Sequence, residues 1–306
     1  MKVLVTGGAG FIGSHVADAC LAAGNAVVIV DDLSTGKMEN VNPKARFEQT
    51  DIRDEKLDDL FRSEKFDVVI HHAAQMDVRK SVEDPAFDAS VNILGTLNLL
   101  EQCRKTGVKK FVFASTGGAI YGEQDYFPAD EKHPVRPLSP YGISKLAIEK
   151  YLFYYGEIYG LRHVSLRYGN VYGPRQNPHG EAGVIAIFTK KMLAGAQPLI
   201  NGDGLQTRDY VYVGDVVSAN MFALGFAGSG IFNVGTGIET DVNTLFRSLN
   251  DLTVAGCRES HGPAKKGEQM RSVIDAGLLV KTAGWTAATN LGDGLRRTVE
   301  YFRAKR

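Results

Sequence analysis

A tyrosine and a lysine four residues apart, Tyr141 and Lys145, lie in the segment SPYGISK. On a helix this spacing places a phenol and an ammonium on one face, about one turn apart. Free tyrosine has a pKa near 10, so lowering it by about 3 units needs about 4 kcal/mol of electrostatic help. An adjacent ammonium favours the phenolate, which could then act as a general base. The spacing also occurs by chance, so it indicates catalysis only beside a cofactor site.

Two hydroxyls, Ser115 and Thr116, follow the apolar run KKFVFA. If this run is a strand of a parallel sheet, the hydroxyls lie at the carboxyl edge, where ligands bind in such sheets. Either one could bond to the same substrate oxygen as the tyrosine. We choose Thr116, with Ser115 as the alternative and a capping role as the other interpretation of both.

A glycine-rich turn opens the chain in VLVTGGAGFIGSHVADACLAAG. Gly7, Gly10 and Gly13 stand between a predicted strand and a predicted helix, the context of a dinucleotide-binding loop. The first glycine permits the tight turn, the second lets the backbone approach a pyrophosphate, and the third lets helix and strand pack closely. The pyrophosphate would meet N–H groups at the helix N-terminus.

An acidic residue, Asp31, ends the second predicted strand, 18 residues after the third glycine. A carboxylate there can accept both ribose hydroxyls of adenosine and repels a 2′-phosphate, which favours NAD over NADP. Asp32 is the neighbouring candidate, and Lys37 could in principle hold a phosphate. Asp51 and Ile52 follow the third strand and could contact the adenine, with a helix cap before RDEKLDDLF as the alternative.

The elements that must position these groups alternate along the first half of the chain. A helix over about 12–23 and two long helices, one from Asp84 to before Gly107 and one from Ser139 to near Gly160, are separated by short β-branched runs. These runs are KVLVT, AVVIVDD, ARFEQT, DVVIHHA, KKFVFAS and HVSLRY. Such alternation predicts a parallel sheet with helices on both faces.

The expected fold class is therefore α/β, a Rossmann-type doubly wound parallel sheet with a smaller C-terminal substrate-binding lobe. After Arg167 the pattern loosens and glycine and proline become frequent. We expect an NAD-binding domain over 1–168, with a returning segment near 211–234, and a substrate-binding lobe over 169–306.

Composition excludes several classes of function. The 306 residues are 44% hydrophobic and 23% charged, close to the globular average, which argues against a disordered or fibrous chain. Lys plus Arg and Asp plus Glu each total 35, so no net positive field exists to hold nucleic acid or an anionic membrane.

The sequence also predicts a cytoplasmic protein. Met1 and Lys2 run directly into a strand, so we expect no targeting segment. The uncharged stretch 216–238 is divided by glycines and reads as a short helix, a turn and a strand rather than a membrane span. Neither a disulfide framework nor a metal site fits the three widely spaced cysteines Cys20, Cys103 and Cys257.

With these features in place, the chain resembles the extended short-chain dehydrogenase/reductase family, and within it the branch that epimerises UDP-hexoses at carbon 4. The resemblance runs end to end through the blocks TGGAGFIGSH, VDDLSTG, HHAAQ, VNILGT, STGGAIYG, SPYGISK, LRYGNVYGPRQ, RDYVYV and FNVGTG.

The resemblance implies a set of site residues and a reaction. Catalysis would fall to Thr116, Tyr141 and Lys145. NAD would be held by Gly7, Gly10, Phe11, Ile12, Gly13, Asp31, Asp32, Asp51, Ile52, Ala73, Gln75, Asn92, Tyr141 and Lys145. The UDP-hexose would be held by Ser115, Thr116, Asn170, Arg208, Lys265, Arg271 and Ser272. Hydride would leave carbon 4 for NAD and return to the opposite face of a transient 4-keto sugar.

One block departs from the family pattern. Where the family has an arginine before a Gly-Asp pair, this chain reads AKKGEQMR, with Lys265 and Glu268 in those places. A lysine offers a point charge instead of a bidentate fork, so either Lys265 or Arg271 could clamp the phosphates. Ser272 stands five positions after Gly267. In the family, the residue at this place lines the hexose pocket, and its bulk limits the substituent at carbon 2 of the sugar. Because a serine side chain is small and leaves space for an N-acetyl group, Ser272 predicts activity on UDP-N-acetylhexosamines as well.

Other members of the fold are less well matched. Related dehydratases and decarboxylases need acidic groups just after the threonine, whereas Gly117, Gly118 and Ala119 follow it here. A non-catalytic NAD-binding module would lack the tyrosine or the lysine. Related enzymes dimerise through a four-helix bundle. The aromatic helix near 140–159 and the helix near 84–105 therefore predict a homodimer, with core packing as the alternative.

Overall fold

The computed structural model of the chain describes residues 1–178, 183–265 and 269–305. Its strands, in chain order, are β1 Lys2–Thr6, β2 Ala26–Asp31, β3 Arg46–Gln49, β4 Val68–His71, β5 Lys110–Thr116, β6 Arg162–Tyr168, β7 Asn170–Tyr172, β8 Ile200–Asn201, β9 Thr207–Tyr212, β10 Gly230–Val234, β11 Glu239–Asp241, β12 His261–Gly262 and β13 Arg271–Ser272.

The α-helices, in the same order, are α1 Phe11–Ala22, α2 Leu57–Glu64, α3 Val78–Glu83, α4 Pro85–Ala89, α5 Gly95–Thr106, α6 Gly117–Ile120, α7 Pro140–Tyr159, α8 Val184–Leu193, α9 Val213–Gly225, α10 Val242–Thr253, α11 Gly277–Ala283 and α12 Leu291–Ala304. A 3₁₀ turn covers Met38–Asn40, and a π-helical turn, Ser90–Leu94, joins α4 to α5.

A seven-stranded sheet forms the centre of the fold, in the order β10-β6-β5-β4-β1-β2-β3. The strands from β1 to β5 pair in parallel, with Val5 opposite both Ile29 and Ile70. β1, β4 and β5 lie inside the sheet, which is why they read as continuous apolar runs. The α/β, Rossmann-type prediction is confirmed, and the predicted strands coincide with β1 to β6 to within one or two residues.

The two long predicted helices form as their end signals indicate. The Asp84 carboxylate accepts from the Phe87 N–H, and Gly107 ends the run in the left-handed conformation. Within this run the π-helical turn interrupts what the sequence predicts as one regular helix. The Ser139 hydroxyl caps α7 at the Gly142 N–H, and Gly160 ends it.

The chain divides into two compact units. The first comprises 1–120, 137–167 and 217–232, and the second comprises 121–136, 168–216 and 233–306. Residues 121–136 thus belong to the second unit, whereas the expected boundary near 168 placed them in the first. In the first unit, Leu4, Val69, Phe111, Leu99 and Leu152 belong to one apolar core between the sheet and its helices.

The second unit has its own core. Phe188 of α8, Phe246 of α10 and Val299 of α12 pack in it. β9 pairs with β11, β13 and β7, and β8 pairs with β12. Short paired strands with a small helical core thus replace the long parallel sheet of the first unit.

The thiols of Cys20, Cys103 and Cys257 are all free. The stretch 216–238 contributes to α9 and then forms β10. Among the helices of the described residues, none combines the length and the hydropathy that crossing a membrane requires.

Candidate active site

The glycine loop, residues 7–13, connects β1 to α1 within the first unit. Gly7 has a φ of +68°, and a Cβ there would lie 2.6 Å from the Ala73 nitrogen. A Cβ on Gly13 would clash with the Gly7 carbonyl. Gly10 stands at the N-cap of α1 and contributes no side-chain cap, so the N–H groups of Phe11 and Ile12 in the first turn face outward along the helix axis. This backbone fits an approaching pyrophosphate.

Asp31 ends β2 against this loop. Its Oδ2 accepts from the Ala9 N–H at 3.0 Å and its Oδ1 accepts from the Leu33 N–H at 2.9 Å. Burial raises the pKa of this carboxyl, with Asp32 adding a smaller upward effect. A Cβ on Gly36 would lie 2.6 Å from Asp31 Oδ1, so only glycine fits beside that oxygen. Gly36 stands within the block VDDLSTG, where residue type alone did not indicate this role.

The neighbouring candidates have other partners. Asp32 is exposed, and its Oδ1 accepts from the Ser34 N–H and hydroxyl at 2.9 and 2.7 Å. Lys37 is exposed and lies 3.9 Å from Glu39. These placements leave Asp31 as the carboxylate beside the glycine loop.

Asp51 and Ile52 follow β3. The Asp51 carboxylate accepts from Arg53 at 2.6 Å, and this pairing lowers its pKa. The alternative that Asp51 caps the next helix is wrong, because α2 begins at Leu57, six residues later in the chain. Ile52 is buried, and its carbonyl accepts from Asn98 Nδ2 at 2.9 Å.

The segment after β4 carries Ala73 and Gln75. Ala73 lies against Gly7, as described above. The Asn92 side chain bonds to both backbone groups of Gln75: its Oδ1 accepts from the Gln75 N–H and its Nδ2 donates to the Gln75 carbonyl, each at 2.9 Å. The structure therefore gives Asn92 a supporting contact that the sequence did not reveal.

Tyr141 and Lys145 lie in α7, as predicted. Lys145 Nζ is 5.7 Å from the centre of the Tyr141 ring and 4.7 Å from that of Phe113, and it donates to the Ala114 carbonyl at 2.8 Å. Burial lowers the pKa of Lys145 to about 8, opposed by the charges of Asp88 and Glu149. The ammonium is thus anchored between the end of β5 and the phenol.

The electrostatics of Tyr141 differ from the sequence expectation. Burial, and secondarily the charge of Asp88, raises its pKa above the usual value for tyrosine. The sequence leads to the expectation that Lys145 and an oxidised nicotinamide together lower it. Because desolvation outweighs the ammonium in the protein alone, formation of the phenolate needs positive charge beyond Lys145.

Ser115 and Thr116 end β5, and of these two hydroxyls only that of Ser115 bonds to a side chain among the described residues. The Ser115 hydroxyl is buried and donates to Glu149 Oε1 at 2.7 Å. Arg167 donates to both oxygens of the same carboxylate, at 2.9 and 2.6 Å. Thr116 is partly exposed at the strand end. This arrangement favours Thr116 over Ser115 as a substrate contact.

The other expected substrate residues, Asn170, Arg208, Lys265, Arg271 and Ser272, lie in the second unit. Ser272 of β13 pairs with Arg208 of β9, and Asn170 of β7 pairs with Tyr210, which is also in β9. Ser272 is buried and Lys265 is exposed, while Gly267 and Glu268 lie outside the described residues.

Arg271 has protein partners in the second unit. Its Nε and NH2 donate to the Glu239 carboxylate at 2.9 and 2.7 Å. Its guanidinium carbon lies 3.7 Å from the centre of the Phe127 ring. Neither partner was visible in the sequence pattern. Any phosphate contact by Arg271 would have to share it with Glu239.

Comparison with known proteins agrees with this geometry. Residues 3–235 match the model of the NAD dependent epimerase/dehydratase family. The UDP-glucose 4-epimerase of Mycolicibacterium smegmatis is 45% identical over 100% of this chain and 99% of its own.

Two solved structures are similarly close. The Thermotoga maritima UDP-glucose 4-epimerase, solved with UDP-glucose, has a TM-score of 0.98 at 49% identity and covers 100% of this chain and 99% of its own. The Thermus thermophilus UDP-glucose 4-epimerase complexed with NAD has a TM-score of 0.94 at 48% identity, with 100% of both chains covered. Because the family model covers more than half of the chain and these relatives align over essentially all of it, the chain belongs to the NAD-dependent epimerase/dehydratase family.

Proposed function

We propose that this protein is an isomerase that interconverts UDP-hexoses at carbon 4, using NAD. The observation that carries the proposal is the placement of Tyr141 and Lys145 on one face of α7, with Thr116 at the end of β5. The similar proteins named UDP-glucose 4-epimerase, at 45 to 49% identity over essentially the whole chain, support the same substrate class.

NAD suits the residues of the first unit. The close approach of Gly7 to Ala73 leaves no room for a side chain, and the first turn of α1 presents N–H groups suited to a pyrophosphate. The Asp31 carboxylate, held by two backbone donors, would accept the ribose hydroxyls and repel a 2′-phosphate. When bound, NAD supplies the hydride acceptor and, after oxidation of the sugar, the hydride donor.

The chain's own groups manage the proton. Tyr141 as phenolate takes the proton of the 4-hydroxyl, directly or through Thr116, and gives it back after the 4-keto sugar has turned over. Lys145, fixed by the Ala114 carbonyl, stabilises the phenolate and would reach the nicotinamide ribose. The keto sugar must rotate about its pyrophosphate link, so grip on UDP should be firm and grip on the hexose loose.

The second unit would bind the substrate. We assign Asn170, Arg208 and Arg271 to the UDP moiety, with Lys265 as a further cation for the diphosphate. Arg271 and Glu239 form a bidentate pair, which holds the guanidinium plane in one orientation. The cytoplasm is the location that fits three free thiols.

The direct test uses purified protein without added NAD, UDP-glucose or UDP-galactose as substrate, and analysis of the cofactor released on denaturation. Wild type should form the other hexose and release NAD. Tyr141→Phe should keep fold and cofactor and lose epimerisation by about 10²–10⁴-fold, since it removes one oxygen from an intact helix. A Tyr141→Phe rate near wild type would exclude the tyrosine as base.

Lys145→Met is the companion variant. It should lose activity and also bind NAD more weakly, because both the counter-charge and the ribose contact disappear. Full retention of the cofactor by this variant would argue against the ribose contact.

Sugar selectivity is assigned to Ser272. A small side chain leaves room for an acetamido group, so we expect activity on UDP-N-acetylglucosamine as well as UDP-glucose. Ser272→Tyr should lower activity on the acetamido sugar more than on the plain hexose, and overpacking costs of about 1–3 kcal/mol make the selectivity graded. Equal effects on both sugars would mean that Ser272 is not the gate.

We also propose a homodimer built through a four-helix bundle. Leu94 of the π-helical turn and Tyr151, Phe153, Ile158 and Tyr159 of α7 are exposed apolar or aromatic side chains, whereas Leu152 and Tyr155 are buried in the first unit. An exposed apolar stripe beside a filled core suits a second copy. Light scattering at micromolar concentration should give twice the monomer mass for wild type. Phe153→Glu should lower the measured mass to that of the monomer.

A further inference from the structure

A buried carboxylate, Asp88 of α4, lies beside the catalytic helix. Three neutral groups donate to it. Gln75 Nε2 and Asn92 Nδ2 reach Oδ1 at 3.1 and 2.9 Å, and the Ser144 hydroxyl reaches Oδ2 at 2.7 Å. We call Gln75, Asp88, Asn92 and Ser144 the Asp88 network. Ser144 immediately precedes Lys145, so the carboxylate is tied to the catalytic turn of α7 itself.

The network also fixes the segment that follows β4. Asn92 satisfies both backbone groups of Gln75, as described above. The Gln75 side chain in turn bonds to both backbone groups of Asp77: its Oε1 accepts from the N–H at 2.8 Å and its Nε2 donates to the carbonyl at 2.9 Å. Asp77 caps α3, and the α3 residue Ser81 accepts from the Tyr141 N–H through its hydroxyl at 3.2 Å.

A second line of hydrogen bonds leads from Asn92 to β1. The Thr96 hydroxyl donates to the Asn92 carbonyl at 2.6 Å, and His71 Nε2 lies 2.8 Å from the same hydroxyl. His71 Nδ1 lies 2.7 Å from the Thr6 hydroxyl. Because the Thr96 hydroxyl donates its proton to the Asn92 carbonyl, His71 Nε2 must donate to Thr96. His71 Nδ1 must then accept from the Thr6 hydroxyl. The π-helical turn that holds Asn92 is the kind of widened turn that often occurs at functional sites.

The charge of Asp88 reaches the catalytic pair. It raises the pKa of Tyr141, after burial, and it opposes the lowering of the Lys145 pKa by burial. The elements packed here also carry Lys145 and Glu149 of α7, His71 at the end of β4 and His72 after it, and Arg79, Lys80 and Glu83 of α3. Burial and Lys145 hold the pKa of His71 well below the usual value and that of His72 at about 3, so both rings are neutral at neutral pH.

We propose that Asp88 is a positioning residue for the epimerase reaction. Its carboxylate ties the cofactor-side segment after β4 to the turn of α7 that carries Tyr141 and Lys145, and its negative charge acts on both of these groups. This inference rests on the proposed function. It adds to the Tyr-x-x-x-Lys spacing a residue of another helix, 56 residues before Ser144 in the chain.

Asp88→Asn is the charge-removing variant, because it keeps the size of the side chain and can exchange donor and acceptor roles with the Ser144 hydroxyl. Without the negative charge, the pKa values of Tyr141 and Lys145 should both fall. Both limbs of the kcat–pH profile should therefore move to lower pH, by about 1 unit. A uniform loss of rate with unmoved limbs would be a structural effect only and would overturn the charge role.

A second readout does not depend on epimerisation. Ultraviolet difference titration of each protein against its own Tyr141→Phe partner isolates the phenolate of Tyr141. Its midpoint should be lower by about 1 pH unit in Asp88→Asn than in wild type. A wild type without epimerase activity would reject the proposed function, whereas an unchanged midpoint would reject only the role of Asp88.

Ser144→Ala is the matched control, because it cuts one bond of the network and keeps the charge. Its limbs should stay at the wild-type pH, while kcat falls by about tenfold through misplacement of α7. Asp88→Glu keeps the charge and should likewise leave the limbs unmoved. If Ser144→Ala keeps the wild-type kcat, Asp88 does not position the helix.

Discussion

Two buried carboxylates, Glu149 and Asp88, lie near the catalytic turn of α7, and their charges are compensated differently. Glu149 accepts from the Arg167 guanidinium and the Ser115 hydroxyl, a set we call the Glu149 network. Asp88 accepts only from amide and hydroxyl groups among the described residues. The negative charge of Glu149 is balanced by the Arg167 cation at contact distance, whereas the charge of Asp88, beside Tyr141, has no bonded cation among the described residues.

This difference separates an effect on stability from an effect on chemistry around one helix, α7. A buried ion pair is costly to break, because removing one partner leaves the other charge uncompensated. An anion held by neutral donors remains available to bias the proton equilibria of its neighbours. We therefore expect the Glu149 network to act mainly on folding stability and the Asp88 network mainly on the pH dependence of the reaction.

The largest expected effect comes from breaking the ion pair. Arg167→Leu leaves Glu149 buried without its cation and should lower the free energy of unfolding by about 3–5 kcal/mol, measured by chemical denaturation. Asp88→Asn should cost only about 1 kcal/mol, because its partners are neutral. The double variant Glu149→Leu with Arg167→Leu should recover much of the loss. Equal destabilisation by Arg167→Leu and Asp88→Asn would remove the distinction.

The stability of the protein in acid should depend on the histidines beside Lys145 rather than on the two carboxylates. Burial lowers the pKa of His72 to about 3 in the folded state, against about 6.5 in the unfolded chain. As pH falls below about 6.5, His72 therefore binds a proton in the unfolded chain but not in the folded protein. The free energy of unfolding decreases progressively down to about pH 3. Between pH 7 and pH 5 this amounts to about 2 kcal/mol. His72→Gln should flatten this part of the unfolding curve, whereas a slope unchanged by the substitution would implicate other groups.

The smallest expected effect distinguishes the two hydroxyls of β5. Ser115→Ala removes one donor to Glu149 and should lower stability by about 1.5 kcal/mol while kcat stays near wild type. Thr116→Val should show the reverse, with stability kept and kcat reduced. A large loss of kcat in Ser115→Ala with unchanged stability would reinstate Ser115 as the substrate contact.

Much of the site could be predicted from local patterns. The glycine spacing, the acidic end of β2 and the Tyr-x-x-x-Lys spacing each lie within one strand–loop or helix segment, and their backbone requirements are visible in residue type. Gly7 and Gly13 are instances, since the first needs a positive φ and any side chain on either would meet backbone. The strand and helix ends followed from apolar runs, caps and terminal glycines.

The partners of the buried polar groups could not be predicted in this way. Ser115 and Glu149 are 34 residues apart in the chain, and Ser144 and Asp88 are 56 apart. The helix-cap alternative for Asp51 failed because the chain makes two further turns before α2 begins. Arg271 read as a candidate phosphate ligand, and only the folded strands brought Glu239 and Phe127 to it.

The sequence by itself thus determined the order of strands and helices, the dinucleotide loop and the residues able to do the chemistry, because these depend on φ preference, periodicity and spacing within a few residues. The tertiary structure alone decided which buried carboxylate is neutralised and which keeps its charge, and it alone placed the pKa of Tyr141 above its usual value. Desolvation and hydrogen-bond partnership depend on neighbours far away in the chain, and no local pattern encodes them.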